Sequence, residues 1–173
     1  MKFIACTYEP HAEAILAILN EAILHSTALY DYQPRTLESM AGWFRAKEAG
    51  GYPVIGAVSP SGGLLGFASY GTFRAWPAYK YSVEHSVYVH KEHRGKGLGL
   101  ALMQQLIATA QERQYHVMIG GIDESNRASV ALHERLGFSH AGTIRHAGFK
   151  FGRWLDLAFY QLILPTPETP VEG

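Results

Sequence analysis

The chain has 173 residues, and its 47% hydrophobic and 17% charged residues supply a core and exclude a disordered chain. Fifteen Lys and Arg cancel fifteen Asp and Glu, so with its nine histidines neutral the chain has no global basic field for nucleic acid or an anionic membrane. A single cysteine, Cys6, excludes a disulfide scaffold and a multi-cysteine zinc site. No apolar run reaches the ~20 residues that span a bilayer. Glu9 and His11 follow too soon after Met1 for a signal-peptide core. The expectation is one cytoplasmic domain over residues 1–164, with a proline-rich tail over 165–173.

Phe3 to Tyr8 reads as a first strand. Pro10 then opens a helix to about His25, with Ile15, Ile18, Leu19, Ala22 and Ile23 at helical spacing. Thr36 is a good N-cap for a second helix that ends at Gly50-Gly51. Val54–Val58 and Leu64–Tyr70 are strands joined by the turn-forming Ser59-Pro60-Ser61-Gly62-Gly63. Phe73–Tyr81 is an aromatic loop, and Tyr81–Val89 alternates as a strand. A helix follows from about Gly97 to Gln114, with Leu98, Leu102, Leu106 and Ala110 on one stripe. Val117–Ile122 is a strand and Asn126–Leu136 a helix closed by Gly137. Phe138–Ile144 and Trp154–Leu164 are the last strands. This order predicts a mixed α/β (α+β) fold on a mostly antiparallel sheet, parallel where helices intervene.

The segment richest in chemistry runs from Val83-Glu84-His85-Ser86-Val87-Tyr88-Val89 through His90-Lys91-Glu92-His93 to Arg94-Gly95-Lys96-Gly97-Leu98-Gly99. It is a strand, a basic loop, and three glycines entering a helix. Glycine lets a backbone approach a ligand closely, and the first N–H groups of a helix have no intrahelical acceptor, so the turn suits a phosphate or pyrophosphate. Two other nucleotide loops are excluded: the dinucleotide fingerprint needs glycine where Leu100 stands, and the mononucleotide loop needs Ser or Thr where Gly97 stands.

Arg94-Gly95-Lys96-Gly97-Leu98-Gly99 resembles the acetyl-coenzyme A pyrophosphate loop of the GCN5-related N-acetyltransferase (GNAT) family. Asn126-Arg127-Ala128-Ser129-Val130-Ala131-Leu132-His133-Glu134-Arg135-Leu136-Gly137-Phe138 is similar to the family's second cofactor motif. The resemblance covers nearly the whole chain and narrows to the phosphinothricin and methionine sulfoximine acetyltransferases through Val83–His90, Lys150–Leu157, Gly51-Tyr52-Pro53-Val54 and Ala68-Ser69-Tyr70-Gly71. It implies a sheet of about six to seven strands flanked by about four helices. It also implies acetyl-CoA as donor, a homodimer with Phe149–Asp156 at the interface, and no metal.

The resemblance further implies roles for single residues. Glu84 is the base that takes the amine proton, directly or through water. A solvated edge-strand carboxylate is the plainer reading of the residue alone. On an alternating strand Glu84 shares a face with Ser86 and Tyr88, opposite His85, Val87 and Val89. Val87, Tyr88 and Val89 offer backbone to the pantetheine arm, and the N–H near Val87 polarises the thioester carbonyl. Gly95, Lys96, Gly97, Leu98, Gly99 and Leu100 cradle the pyrophosphate, with Arg94 and Lys96 as accessory charges or solvated loop residues. Asn126 suits a helix cap, and the resemblance adds a cofactor contact. His133 stands where many members place a tyrosine acid, so it is either structural or the donor to the departing thiolate.

Substrate contacts are implied at Arg74, Ala75 and Trp76 and at Glu84, His85 and Ser86. Arg74 suits a substrate α-carboxylate, because a guanidinium makes bidentate charge-assisted bonds. Phe73-Arg74-Ala75-Trp76 departs from the subgroup's pattern, which affects the side-chain pocket more than the carboxylate clamp. His90 and His93 lie three apart, and His133-Glu134 lacks a second histidine at Gly137, so no zinc motif is present. Cys6 reads as a small core residue. The activity expected is direct transfer of acetyl to the α-amine of a small amino acid analogue, in a ternary complex. The alternatives are a protein N-terminal acetyltransferase, against which Arg74 argues, and a non-catalytic coenzyme A-binding domain, against which Glu84 argues.

Overall fold

The computed structural model describes residues 1–173. Its elements are β1 (Lys2–Ala5), α1 (Tyr8–His25), α2 (Leu37–Gly50), β2 (Val54–Val58), β3 (Leu64–Thr72), β4 (Ser82–Val89), α3 (Leu98–Glu112), β5 (Val117–Asp123), α4 (Arg127–Arg135), β6 (Ser139–Lys150) and β7 (Arg153–Ile163). Single 3-10 turns lie at Pro77–Tyr79 and Lys91–His93. The seven strands form one sheet in the order β1-β2-β3-β4-β5-β7-β6. The pairs β1–β2, β2–β3, β5–β7 and β6–β7 are antiparallel, and β4–β5 is parallel. α3 makes the β4–β5 crossover, since parallel neighbours need a long connection.

Two compact units divide the chain. The first comprises Met1–Ser69 and Ser86–Leu106, the second Tyr70–His85 and Ile107–Gly173. In the first, the apolar stripe of α1 (Ala12, Ile15, Ile18, Leu19) clusters with Met40 and Phe44 of α2 and with Val54 and Phe67 of the strands. Aromatic rings run through this core at centroid distances of 4.9 Å for Trp43–Phe44, 6.1 Å for Trp43–Phe67 and 5.4 Å for Phe67–Tyr88. Cys6 belongs to it, and burial pushes its thiol up to about 11, so the residue is a small apolar filler with no thiolate character.

The second unit buries Val83, Met118, Val130, Phe138, Leu155, Ala158 and Tyr160. Residues 165–173 form no helix or strand, and they are fastened. His116 Nδ1 meets the Thr166 carbonyl at 2.7 Å, the Thr166 hydroxyl donates to the Tyr115 carbonyl, and the Val171 N–H donates to the Tyr81 hydroxyl at 3.0 Å.

Three boundaries differ from the sequence reading: β1 stops at Ala5 rather than Tyr8, α1 starts earlier and β6 ends later. α1 begins at Tyr8, two residues before Pro10, because proline's missing N–H costs nothing in a first turn. The Thr7 side chain makes no cap; its backbone N–H instead donates to His11 Nδ1 at 2.9 Å. β6 continues six residues past Ile144, to Lys150. Its register shifts between His140 and Gly142 and again between Ile144 and Gly148, and such bulges erase the two-residue alternation by which a strand is recognised. β6 and β7 are joined at Phe151 (φ 53) and Gly152 (φ 74), the paired positive φ of a type I′ hairpin turn.

Candidate active site

In the first unit the glycine-rich loop leads into α3. Gly95 (φ 76) and Gly97 (φ 79) hold left-handed backbone, and a Cβ at either would meet nothing within 4 Å, so the loop surface lies open there. Ala101 N–H donates to the Gly97 carbonyl at 3.1 Å. The N–H groups of Leu98, Gly99 and Leu100 precede that first intrahelical bond, which makes this turn a donor array for an anion. Arg94 is committed elsewhere: its Nη2 lies 2.6 Å from Glu21 Oε2 and its Nε donates to the Val89 carbonyl at 3.2 Å. An exposed pair of this kind contributes little stability, so its effect is to tie the loop to α1. Lys96 Nζ reaches the Glu92 carbonyl at 3.5 Å.

The ladder of β4 with β5 covers Ser82–Glu84, so the backbone of Val87, Tyr88 and Val89 lies outside it. The Tyr88 ring packs on Phe67, and burial pushes its hydroxyl up to about 12. Gly66 of β3 admits this strand closely, since a Cβ there would stand 2.7 Å from the Tyr88 carbonyl oxygen. His90, Glu92 and His93 each offer one donor atom within 4.8 Å of the others, a proximity that sequence spacing alone does not reveal. His90 Nδ1 already accepts the Glu92 N–H at 3.2 Å.

The second unit contains a cavity of about 380 Å³ whose walls include Arg74, Phe73, Ile119, Thr143, Phe159 and Gln161. Arg74 is the one charged residue in its lining. The guanidinium stacks 5.3 Å over the Phe73 ring, an arrangement that orients it while its N–H donors stay available. Ala75 and Trp76 are exposed and do not line the cavity. Glu84 lies close to the same walls: a Cβ on Gly121 would meet Glu84 Oε2 at 3.5 Å and the Phe159 ring at 3.8 Å. Partial desolvation pushes the Glu84 carboxyl above its ordinary value, and the positive charge of Arg74 pulls it back. A carboxylate raised in this way is a better proton acceptor at neutral pH.

His85, on the opposite face of β4, is not with Arg74 and Glu84. It is buried, with Nδ1 2.9 Å from the Ile119 carbonyl oxygen and Nε2 2.8 Å from His133 Nε2. His133, also buried, places its Nδ1 2.7 Å from the Ser129 carbonyl oxygen. Burial opposes a charge on either ring, and a charge on one ring repels a charge on the other, so the two cannot both be charged. Asn126 caps α4, its Oδ1 accepting the Ser129 N–H at 3.2 Å. Ser86 is half-buried in the first unit.

Sequence reasoning missed the pairing of His85 with His133 and the cavity walls from β6 and β7. One signal for the pair was available: consecutive glycines inside a strand mark close approach. Gly120 is that place, where a Cβ would stand 2.5 Å from His85 Cε1.

The model of the Acetyltransferase (GNAT) family matches residues 15–138. An L-methionine sulfoximine/L-methionine sulfone acetyltransferase of Pseudomonas paraeruginosa is 46% identical over 157 residues, which cover 90% of this chain and 91% of that one. A putative acetyltransferase of Acinetobacter baylyi superposes with TM-score 0.99 at 60% identity, over 99% of this chain and 97% of the other. A phosphinothricin acetyltransferase of Sinorhizobium meliloti, solved with acetyl-CoA, superposes with TM-score 0.94 at 35% identity, over 99% and 94%.

Proposed function

The chain belongs to the GNAT acetyltransferase family, and from that membership we propose that it transfers acetyl from acetyl-CoA to the α-amine of a free amino acid analogue. The acceptor class is that of methionine sulfoximine, methionine sulfone and phosphinothricin, supported by the relatives' activities. The observation that carries the reading is the cavity whose single charge, Arg74, lies beside a carboxyl, Glu84, shifted toward proton acceptance.

Each step falls to a residue of this chain. Gly95–Leu100 bind the donor's pyrophosphate through backbone N–H groups at the start of α3. Arg74 clamps the acceptor's α-carboxylate and so orients the amine. Glu84 removes the amine's proton, directly or through a water, and leaves a lone pair free to attack. The Val87 N–H donates to the carbonyl oxygen as it becomes an oxyanion. Transfer is direct, with no acetyl-enzyme, since Cys6 is buried with a raised pKa and no other activated nucleophile is apparent. His133 supplies the proton that the departing thiolate takes up. The exposed Phe149, Phe151 and Trp154 of the β6–β7 hairpin favour a homodimer through that hairpin. No helix is long and apolar enough to cross a membrane.

Thiol release from acetyl-CoA, measured over a panel of free amino acid analogues and short peptides, tests the proposal. Turnover confined to free α-amino acids supports it. Turnover on peptides alone, or on no acceptor, overturns it.

A further inference from the structure

Three contacts, His85 Nδ1 to the Ile119 carbonyl, His133 Nδ1 to the Ser129 carbonyl, and Nε2 to Nε2 at 2.8 Å, leave a proton unaccounted for. A carbonyl oxygen only accepts, so each Nδ1 must carry its proton. Two neutral imidazoles have then no proton left, and two bare lone pairs face each other at hydrogen-bonding distance. Moving a proton to either Nε2 repairs that contact but turns an unprotonated Nδ1 onto a carbonyl. Every neutral arrangement leaves one buried contact without a donor. Three protons on four nitrogens satisfy all of them.

The surroundings keep the rings where they are. Phe138 covers both, at 5.5 Å from His85 and 5.1 Å from His133. Gly120 forms the floor, where a Cβ would stand 2.5 Å from His85 Cε1 and 3.3 Å from His133 Nε2. The titratable groups around the pair are Tyr160 of β7, 6.4 Å from His133, with His140 of β6 on its far side, and Glu84, which points from the other face of β4. Asp123, further along β5, is paired with Arg153 at 3.2 Å. Burial opposes charge on the rings, and repulsion between them excludes a fourth proton. One extra proton is a different case, because its charge spreads over two rings whose N–H groups donate to carbonyl dipoles, and such bonds strengthen when the donor is charged.

We propose that His85 and His133 hold one proton between their Nε2 atoms, as a buried pair with a single positive charge. His85 is then the positioning residue that keeps His133 charged. The use of this proton rests on the acetyl-transfer reading above. As the carbon–sulfur bond breaks, the shared proton leaves His133 Nε2 by way of an intervening water and the sulfur becomes a thiol; the pair is left neutral, and bulk water returns the proton.

Ring-nitrogen NMR of the whole protein labelled with 15N-histidine counts these protons without any acceptor present. At neutral pH both Nδ1 atoms should be protonated, and both Nε2 resonances should lie between the protonated and bare positions. A bare Nδ1 on either ring overturns the proposal. His85→Gln keeps a hydrogen-bond donor but cannot share the charge. Its alkaline limb of kcat should therefore fall by about one pH unit, tenfold in proton affinity, while KM for acetyl-CoA stays within about twofold. An unmoved limb overturns the use of the proton in turnover. Should that variant fail to fold, the wild-type spectrum still decides the count. Three protons in a protein that acetylates no acceptor would sink the acetyl-transfer reading and leave the pair standing.

Discussion

Glu84 and His85 are neighbours on β4 with opposite surroundings. One meets solvent and the field of Arg74, the other a buried aromatic pocket. Strand alternation made that opposition legible in the sequence, because successive side chains leave a strand on opposite faces. It could not show what His85 meets, since His133 lies 48 residues away on another element. The prediction at this scale concerns Glu84. Removing the base with Glu84→Gln should lower kcat roughly 10²–10⁴-fold while leaving acetyl-CoA affinity nearly unchanged. The acid limb of the wild-type rate should also disappear. With the carboxyl's pKa raised, the active, unprotonated form is reached only as pH climbs past the usual carboxylate range. Rate measurements against pH on both proteins check this, and a variant of equal activity removes Glu84 from the mechanism.

At the scale of elements, local chemistry made the helices readable and the late strands less so. α2 shows why. Thr36 Oγ1 accepts the Ser39 N–H at 3.2 Å, and Gly51 ends the helix at φ 67, so both signals lie within the segment itself. β6 gave a false end at Ile144 because its bulges break the pattern, and their positions depend on pairing with β7 rather than on β6's own residues. The glycine-rich loop was legible for the first reason, the cavity walls on β6 and β7 illegible for the second. The cap carries its own test. Thr36→Ala should cost about 1 kcal/mol of stability, seen as a lower urea midpoint at unchanged slope. Catalysis should be untouched, as Thr36 has no part in the site. A shift of only a few tenths would mean that the Ser39 hydroxyl, which already donates to the Thr36 carbonyl at 2.7 Å, holds the turn alone.

At the scale of the molecule, β4 carries the plan. It is one strand whose first half, Ser82–His85, belongs to the second unit with the Arg74 cavity and whose second half, Ser86–Val89, belongs to the first with the anion loop. The proposed base and the proposed oxyanion donor are thereby three residues apart on continuous backbone. A neutral chain with one basic group at its cavity fits a small zwitterion better than a polyanion. Arg74 is the proposed gate, admitting acceptors by their free α-carboxylate. Its most direct test compares kcat/KM for methionine sulfone with that for its carboxamide, which keeps the sulfone and the α-amine and loses the negative charge, each rate being taken per unprotonated amine because the amide also makes the amine less basic. Efficiency should be roughly 10²-fold lower for the carboxamide, carried mainly by KM. Equal efficiency for the two would contradict it.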